Sequence, residues 1–95
     1  RDVYKRQDVI IPNAFSANND GINDVYHIIL YGATLNYFNI YNRWGELVYS
    51  VSNSEVNWDG TFNGQALEIG TYVYATEYVS NGVLTIKSGS ITLLR

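Results

Sequence analysis

The densest run of side chains that could do chemistry is Asn18-Asn19-Asp20-Gly21-Ile22-Asn23-Asp24. Oxygen ligands at alternate positions around a glycine turn can wrap Ca²⁺, which takes about six to eight hard oxygens. Asn18, Asp20 and Asp24 suit that role, with Asn23 beside them and a backbone carbonyl near Ile22. The loop is not an EF-hand, because it lacks the bidentate glutamate that closes one. The same residues equally suit a structural turn whose Asx side chains cap their own backbone, with Gly21 left-handed. Both readings stand at this level, and neither makes an enzyme.

Two further clusters combine a large ring with a turn. In Asn42-Arg43-Trp44-Gly45-Glu46, Gly45 is free to take the positive φ of a tight reversal, and Arg43 can stack on Trp44 or pair with Glu46 or Asp59. One reading has Trp44 covering an open end of the core. The other makes an aromatic and a guanidinium beside a turn a protein-docking spot. In Trp58-Asp59-Gly60, Trp58 is expected to close the core end while Asp59 ties the turn through its own backbone. Arg43, Trp44, Glu46, Trp58 and Asp59 are therefore the candidate docking residues. Exposed Trp and Tyr also bind sugar rings, so a carbohydrate-binding module is an alternative.

Catalytic constellations are missing from the sequence. The single histidine, His27, sits in a strand-like run without a nearby nucleophile. No GxSxG, HExxH or glycine-rich loop entering a helix occurs. Asp20, Asp24 and Asp59 could supply a carboxylate pair for glycoside hydrolysis. A small all-β domain, however, offers little concave surface to hold a sugar between them. A non-enzymatic role is expected.

The elements that must position these residues are read from composition and period. The chain has 95 residues, 46% hydrophobic and 15% aromatic but only 16% charged, with nine Tyr and a single Pro. That composition supports one folded core. Net charge is -3, and the charges are uneven: Arg1, Asp2, Lys5 and Arg6 fall in the first seven residues. Residues 1–7 read as a leader or linker outside the fold, and residues 8–95 as the domain. The acidic balance disfavours nucleic acid and anionic membrane surfaces. Cysteine is absent, which removes disulfides and thiolate chemistry together. No apolar run reaches the roughly 20 residues of a membrane-spanning helix, so no direct membrane insertion is expected.

Seven strand signals separated by turn residues predict an antiparallel β-sandwich or small barrel. They cover Asp8 to Ile11, Val25 to Leu30, Leu35 to Tyr41, Glu46 to Val51, Thr71 to Val79, Val83 to Lys87 and Ser90 to Leu94. Asn13 to Asp24 reads as loop, Asn81-Gly82 as a type I′ hairpin turn, and Gly89 as a bulge or bend. Along Thr71 to Val79 the period is two, and Glu77 marks the wetter face. Tyr72, Tyr74, Thr76 and Tyr78 share the other face, which places Tyr72 and Tyr74 inward, as Phe38 and Ile40 are with Asn39 outward. Ile91 and Leu93 are placed inside on the last strand.

Five ordered motifs carry a family resemblance. Residues Ile11 to Asp24 closely resemble the "PNxFTPNxDGxND" opening of the gliding-motility-associated C-terminal domain, the type B sorting domain of the type IX secretion system in Bacteroidetes. Ile40 to Tyr49 resembles its "IYNRWGxxVF" hairpin, Trp58 to Gly64 its "WDGxxNG", Gly70 to Tyr74 its "GxYxY", and Ser88 to Arg95 its closing "KGxVTLxR". Ser16-Ala17 replaces the usual Thr-Pro, and Ser88 stands between Lys87 and Gly89, where it is expected to shift the local register.

The resemblance implies an immunoglobulin-like fold and a sorting function. The domain would direct a large cargo, carried upstream in the same polypeptide, across the outer membrane to the cell surface or medium after periplasmic transit. Its partners would be the type IX machinery and an outer-membrane receptor, and Arg95 would suit a carboxyl terminus. The alternative from the residues alone is an adhesion or spacer module.

Overall fold

The computed structural model describes residues 9–17 and 25–94. Among the described residues nine strands run in the order β1 (Val9–Ile10), β2 (Ala14–Ser16), β3 (Ile29–Leu30), β4 (Ala33–Tyr41), β5 (Leu47–Ser52), β6 (Thr61–Phe62), β7 (Gln65–Ala66), β8 (Gly70–Ser80) and β9 (Val83–Leu94). A five-stranded sheet, ordered β2-β9-β8-β4-β5, forms the main layer. All its pairings are antiparallel except β2 with β9. The β1–β3 ribbon, the β6–β7 hairpin and an isolated bridge between Tyr26 and Trp58 supply the remaining pairings. The expected all-β architecture is present, with nine strands where seven signals were read.

Why the sheet forms where it does follows from alternation. On β8, Tyr72, Tyr74 and Thr76 are buried while Thr71 and Val73 are exposed. Side chains two apart share one face of a strand, and only the apolar set lies over the core. Phe38 and Ile40 on β4 and Ile91 and Leu93 on β9 complete the same inner face. Glu77 stands on the other face and accepts a hydrogen bond from Asn36 Nδ2 at 2.8 Å. Thr76 satisfies its buried hydroxyl by donating to Tyr37 O at 2.7 Å.

Aromatic rings join the layers. Trp58 meets Phe15 at 5.3 Å and Tyr72 edge-on at 5.4 Å. Phe38 stacks on Tyr74 at 5.3 Å and contacts Tyr26 at 6.2 Å. Such pairs add roughly 0.5–1.5 kcal/mol each beyond burial. Tyr26 is buried and donates its hydroxyl to Pro12 O at 2.7 Å.

Four expectations require correction. Ala14–Ser16 is a strand rather than loop, because Phe15 fills a core site and its flanking backbone bonds β9: Thr92 N donates to Asn13 O at 2.8 Å. Val25 to Leu30 is not one strand, since only Ile29–Leu30 and the Tyr26 bridge pair. Gly89 is no bulge and Ser88 shifts no register: β8 and β9 pair without interruption from Gly70↔Leu93 to Ser80↔Val83. The irregularities lie instead on β4, at Leu35/Tyr37 and Ile40/Tyr41. Gly89 is small for another reason. It sits opposite Tyr74, whose ring lies across it, and a Cβ there would come within 2.8 Å of the Tyr74 hydroxyl. The fourth is Trp44, whose ring is exposed rather than covering an end of the core. The leader at residues 1–7 lies outside the described residues.

Gly89→Ala should cost about 1–3 kcal/mol, the cost of overpacking, because the Tyr74 ring must move. Equilibrium urea unfolding checks it, and an unchanged midpoint would refute the ring-over-glycine packing. Burial raises the Tyr26 phenol well above its ordinary value, with the neighbouring Tyr74 adding to the effect. Burial raises Tyr74 in the same direction. The folded state therefore holds neutral phenols that the unfolded chain ionises near pH 10. The contribution of these two phenols to stability should be constant below about pH 10 and fall as pH rises beyond it. Absorbance titration at high pH should show the Tyr26 phenol ionising only as the fold opens, and Tyr26→Phe should flatten the decline.

Candidate functional site

The β4–β5 turn is organised by one side chain. Asn42 Oδ1 accepts from Trp44 N and Glu46 N, both at 2.9 Å, while Asn42 Nδ2 donates to Glu46 Oε1 at 3.0 Å. Gly45 donates its N–H to Asn42 O at 3.0 Å and takes φ 84°, which a side chain would oppose. An Asx side chain thus replaces backbone bonds at the tip. The result is a fixed loop that holds its largest ring outward. Trp44 is 74% exposed. It does not cover an end of the core, which corrects that expectation. The Arg43 guanidinium lies 4.5 Å from the Trp44 ring centre.

Arg43 also reaches Glu68, at 3.5 Å, rather than Glu46 or Asp59. Both side chains are largely exposed, so the pair contributes at most about 1 kcal/mol. Its effect is orientation. Glu68 O in turn accepts the Tyr72 hydroxyl at 2.6 Å, and Tyr72 packs edge-on against Trp58. The exposed tip is therefore connected to the core ring cluster through Tyr72.

Trp58 and Asp59 serve this arrangement from below. Trp58 is 1% exposed, so its ring has no surface to offer a partner. Its indole N–H donates to Thr61 O at 3.3 Å. Asp59 Oδ1 accepts from Thr61 N at 3.1 Å and from Thr61 Oγ1 at 2.6 Å, tying the turn as expected. Arg43, Trp44 and Glu46 sit together on the tip, and the structure adds Glu68, Ile69 and Tyr72 beside them. Spacing along the chain could not reveal Glu68. It comes close only because Tyr41 pairs with Val73 across β4 and β8. Asn18, Asp20, Asn23 and Asp24 lie outside the described residues.

The cleft at the tip is lined by Asn42, Arg43, Trp44 and residues 68–72, and holds about 20 Å³. That is room for about one water and not for a sugar ring. His27 is exposed and lines a 420 Å³ hollow with Ile28, Leu30, Glu55 and Val56. Among the described residues no group of three or more His, Cys, Asp or Glu could hold a metal ion.

A family model for the CHU_C type IX secretion signal domain matches residues 9–93. The chain belongs to that family. No curated protein and no solved structure matches it. The type IX secretion signal domain is an address for its polypeptide, acts through the type IX machinery and leads to secretion or the cell surface. This decides for an address over a spacer, sugar-binding or enzymatic reading.

The two tryptophans should separate cleanly. In Trp58→Phe, the remaining Trp44 should emit like an indole in water and be quenched readily by acrylamide. In Trp44→Phe, Trp58 should emit to the blue and resist quenching. Trp44→Ala should change stability by less than about 0.5 kcal/mol, whereas Trp58→Ala should cost about 3–5 kcal/mol.

Proposed function

We propose that the β4–β5 tip is the face by which the machinery's outer-membrane receptor reads this signal, with Arg43 and Trp44 as anchors and Glu46 at the rim. The observation that carries this reading is a tryptophan 74% exposed on a loop pinned by five hydrogen bonds that involve Asn42. Aromatic and arginine side chains supply most hot-spot energy. A loop already held in its bound shape also spares ordering entropy on docking. Trp58 and Asp59 support the face through Tyr72 and the Asp59 turn without touching the receptor.

In this reading the scaffold, residues 8–95, is an immunoglobulin-like sandwich. Support comes from the sheet order β9-β8-β4-β5, which parallels the G-F-C-C′ order of such domains. The cargo lies upstream in the same polypeptide and crosses the periplasm before the outer membrane. Ca²⁺ at Asn18, Asp20 and Asp24, with Asn23 beside them, is a separate reading, checked by melting with and without chelator.

The test is export of a folded reporter fused to residues 8–95. Arg43→Ala with Trp44→Ala should leave the fusion folded and retained in the periplasm, with a reduction of tenfold or more in secreted reporter. Normal secretion of the double variant would remove the tip from recognition.

A further inference from the structure

β9 is paired with β8 from Val83 to Leu93, but on its other side β2 covers only Thr92 to Leu94. Among the described residues, the side of β9 from Val83 to Ile91 has no strand beside it. Which backbone groups face that side follows from the pairing that exists. Thr92 N donates toward β2, and Leu94 O accepts from Ala17 N. N–H and C=O groups alternate sides along a strand, and the β8–β9 register has no shift. Leu84, Ile86, Ser88 and Ser90 therefore also direct both backbone groups away from β8, into the open edge. Ile86 is 68% exposed and Leu84 56%. A long, partly apolar open edge is a template for another strand.

Lys87 decides which strand. It is at the centre of the edge from Val83 to Ile91 and has no ion-pair partner among the described residues. If a second copy paired antiparallel along the full edge, Ile86 would face Ser88 and Leu84 would face Ser90 in hydrogen-bonded pairs. Lys87 would then face its own copy in a non-hydrogen-bonded pair, where side chains approach most closely. Like charges directly opposite are destabilising. The lysine that rejects a second copy in this register favours a strand with a carboxylate at that point.

We propose that the open edge of β9 receives an extended strand from a partner protein, with an Asp or Glu opposite Lys87 and apolar side chains beside Leu84 and Ile86. The strand adds to the sheet through the outward groups of Leu84, Ile86, Ser88 and Ser90. This surface is separated from β4 by β8 and does not depend on the hairpin-tip reading.

The test uses ¹⁵N-labelled domain and two synthetic peptides, acetyl-Thr-Val-Thr-Val-Glu-Val-Thr-Val-Thr-amide and its counterpart with Lys for Glu. The Glu peptide should shift the amides of Leu84, Ile86, Ser88 and Ser90 and bind about fivefold or more tighter than the Lys peptide, the scale of opposite against like cross-strand charge. Lys87→Glu should reverse that preference. Ser88→Pro gives up an N–H that has no partner strand among the described residues, as prolines on sheet edges do, and should abolish binding while the protein stays folded. Should that variant unfold, the Lys87→Glu reversal still decides. Absence of binding at millimolar peptide, shifts confined to the β4–β5 tip, or equal affinity for the two peptides would overturn the proposal. So would Lys87→Thr remaining as monomeric as the parent protein at millimolar concentration, since removing the charge should permit full-edge self-pairing.

Discussion

The packing of Trp58 between Phe15, Tyr26 and Tyr72 is the interaction on which the rest of this domain depends. The five-stranded sheet has an apolar face that must be covered. Opposite it, the described backbone is mostly irregular: two-residue strands, a two-stranded hairpin and one bridge between Tyr26 and Trp58. So few ladder bonds cannot by themselves hold a second layer. Rings can, because each removes a large apolar area from water and locks its neighbours' rotamers. Trp58 belongs to the irregular layer and Tyr72 to the sheet, so their edge-on contact joins the two.

The same contact gives the signal its stiffness. Tyr72 faces the core on one side and bonds the backbone of Glu68 on the other. Glu68 meets Arg43, and Arg43 lies over Trp44. The tip of the β4–β5 hairpin is thus held both by Asn42 within the loop and by a chain of contacts leading to the core. A secretion signal works by being recognised, and recognition costs less when the surface is already in place. The domain exposes a large ring there while burying an equally large one beneath, and sequence context alone does not distinguish these two tryptophans.

Much of the inner face was legible from alternation. Tyr72, Tyr74 and Thr76, Phe38 and Ile40, and Ile91 and Leu93 all face inward because a strand in a one-sided sheet has only two choices, and Glu77 settles one of them. The turns at Asn42 to Gly45 and Asn81-Gly82 were legible for a similar reason, since few residues take positive φ cheaply. The strand at Ala14–Ser16 was hidden. Its parallel pairing with β9 joins segments far apart in the chain, and three residues flanked by Pro12 and an Asn-rich run have no period to read. Gly89 misled for a local reason. A glycine within a strand suggests a bulge, but this one gives way to a ring from the neighbouring strand.

What the amino-acid order determined by itself is therefore what short-range stereochemistry controls: the strand period, the inward set on each long strand, the positive-φ turns and the ordered motifs that mark the family. Tertiary structure alone decided which tryptophan is buried, which carboxylate Arg43 meets and which edge of the sheet is left open. Those outcomes depend on strand order and register. They bring together residues separated by tens of positions, and no local preference of Trp44, Glu68 or Lys87 encodes the neighbour it will have.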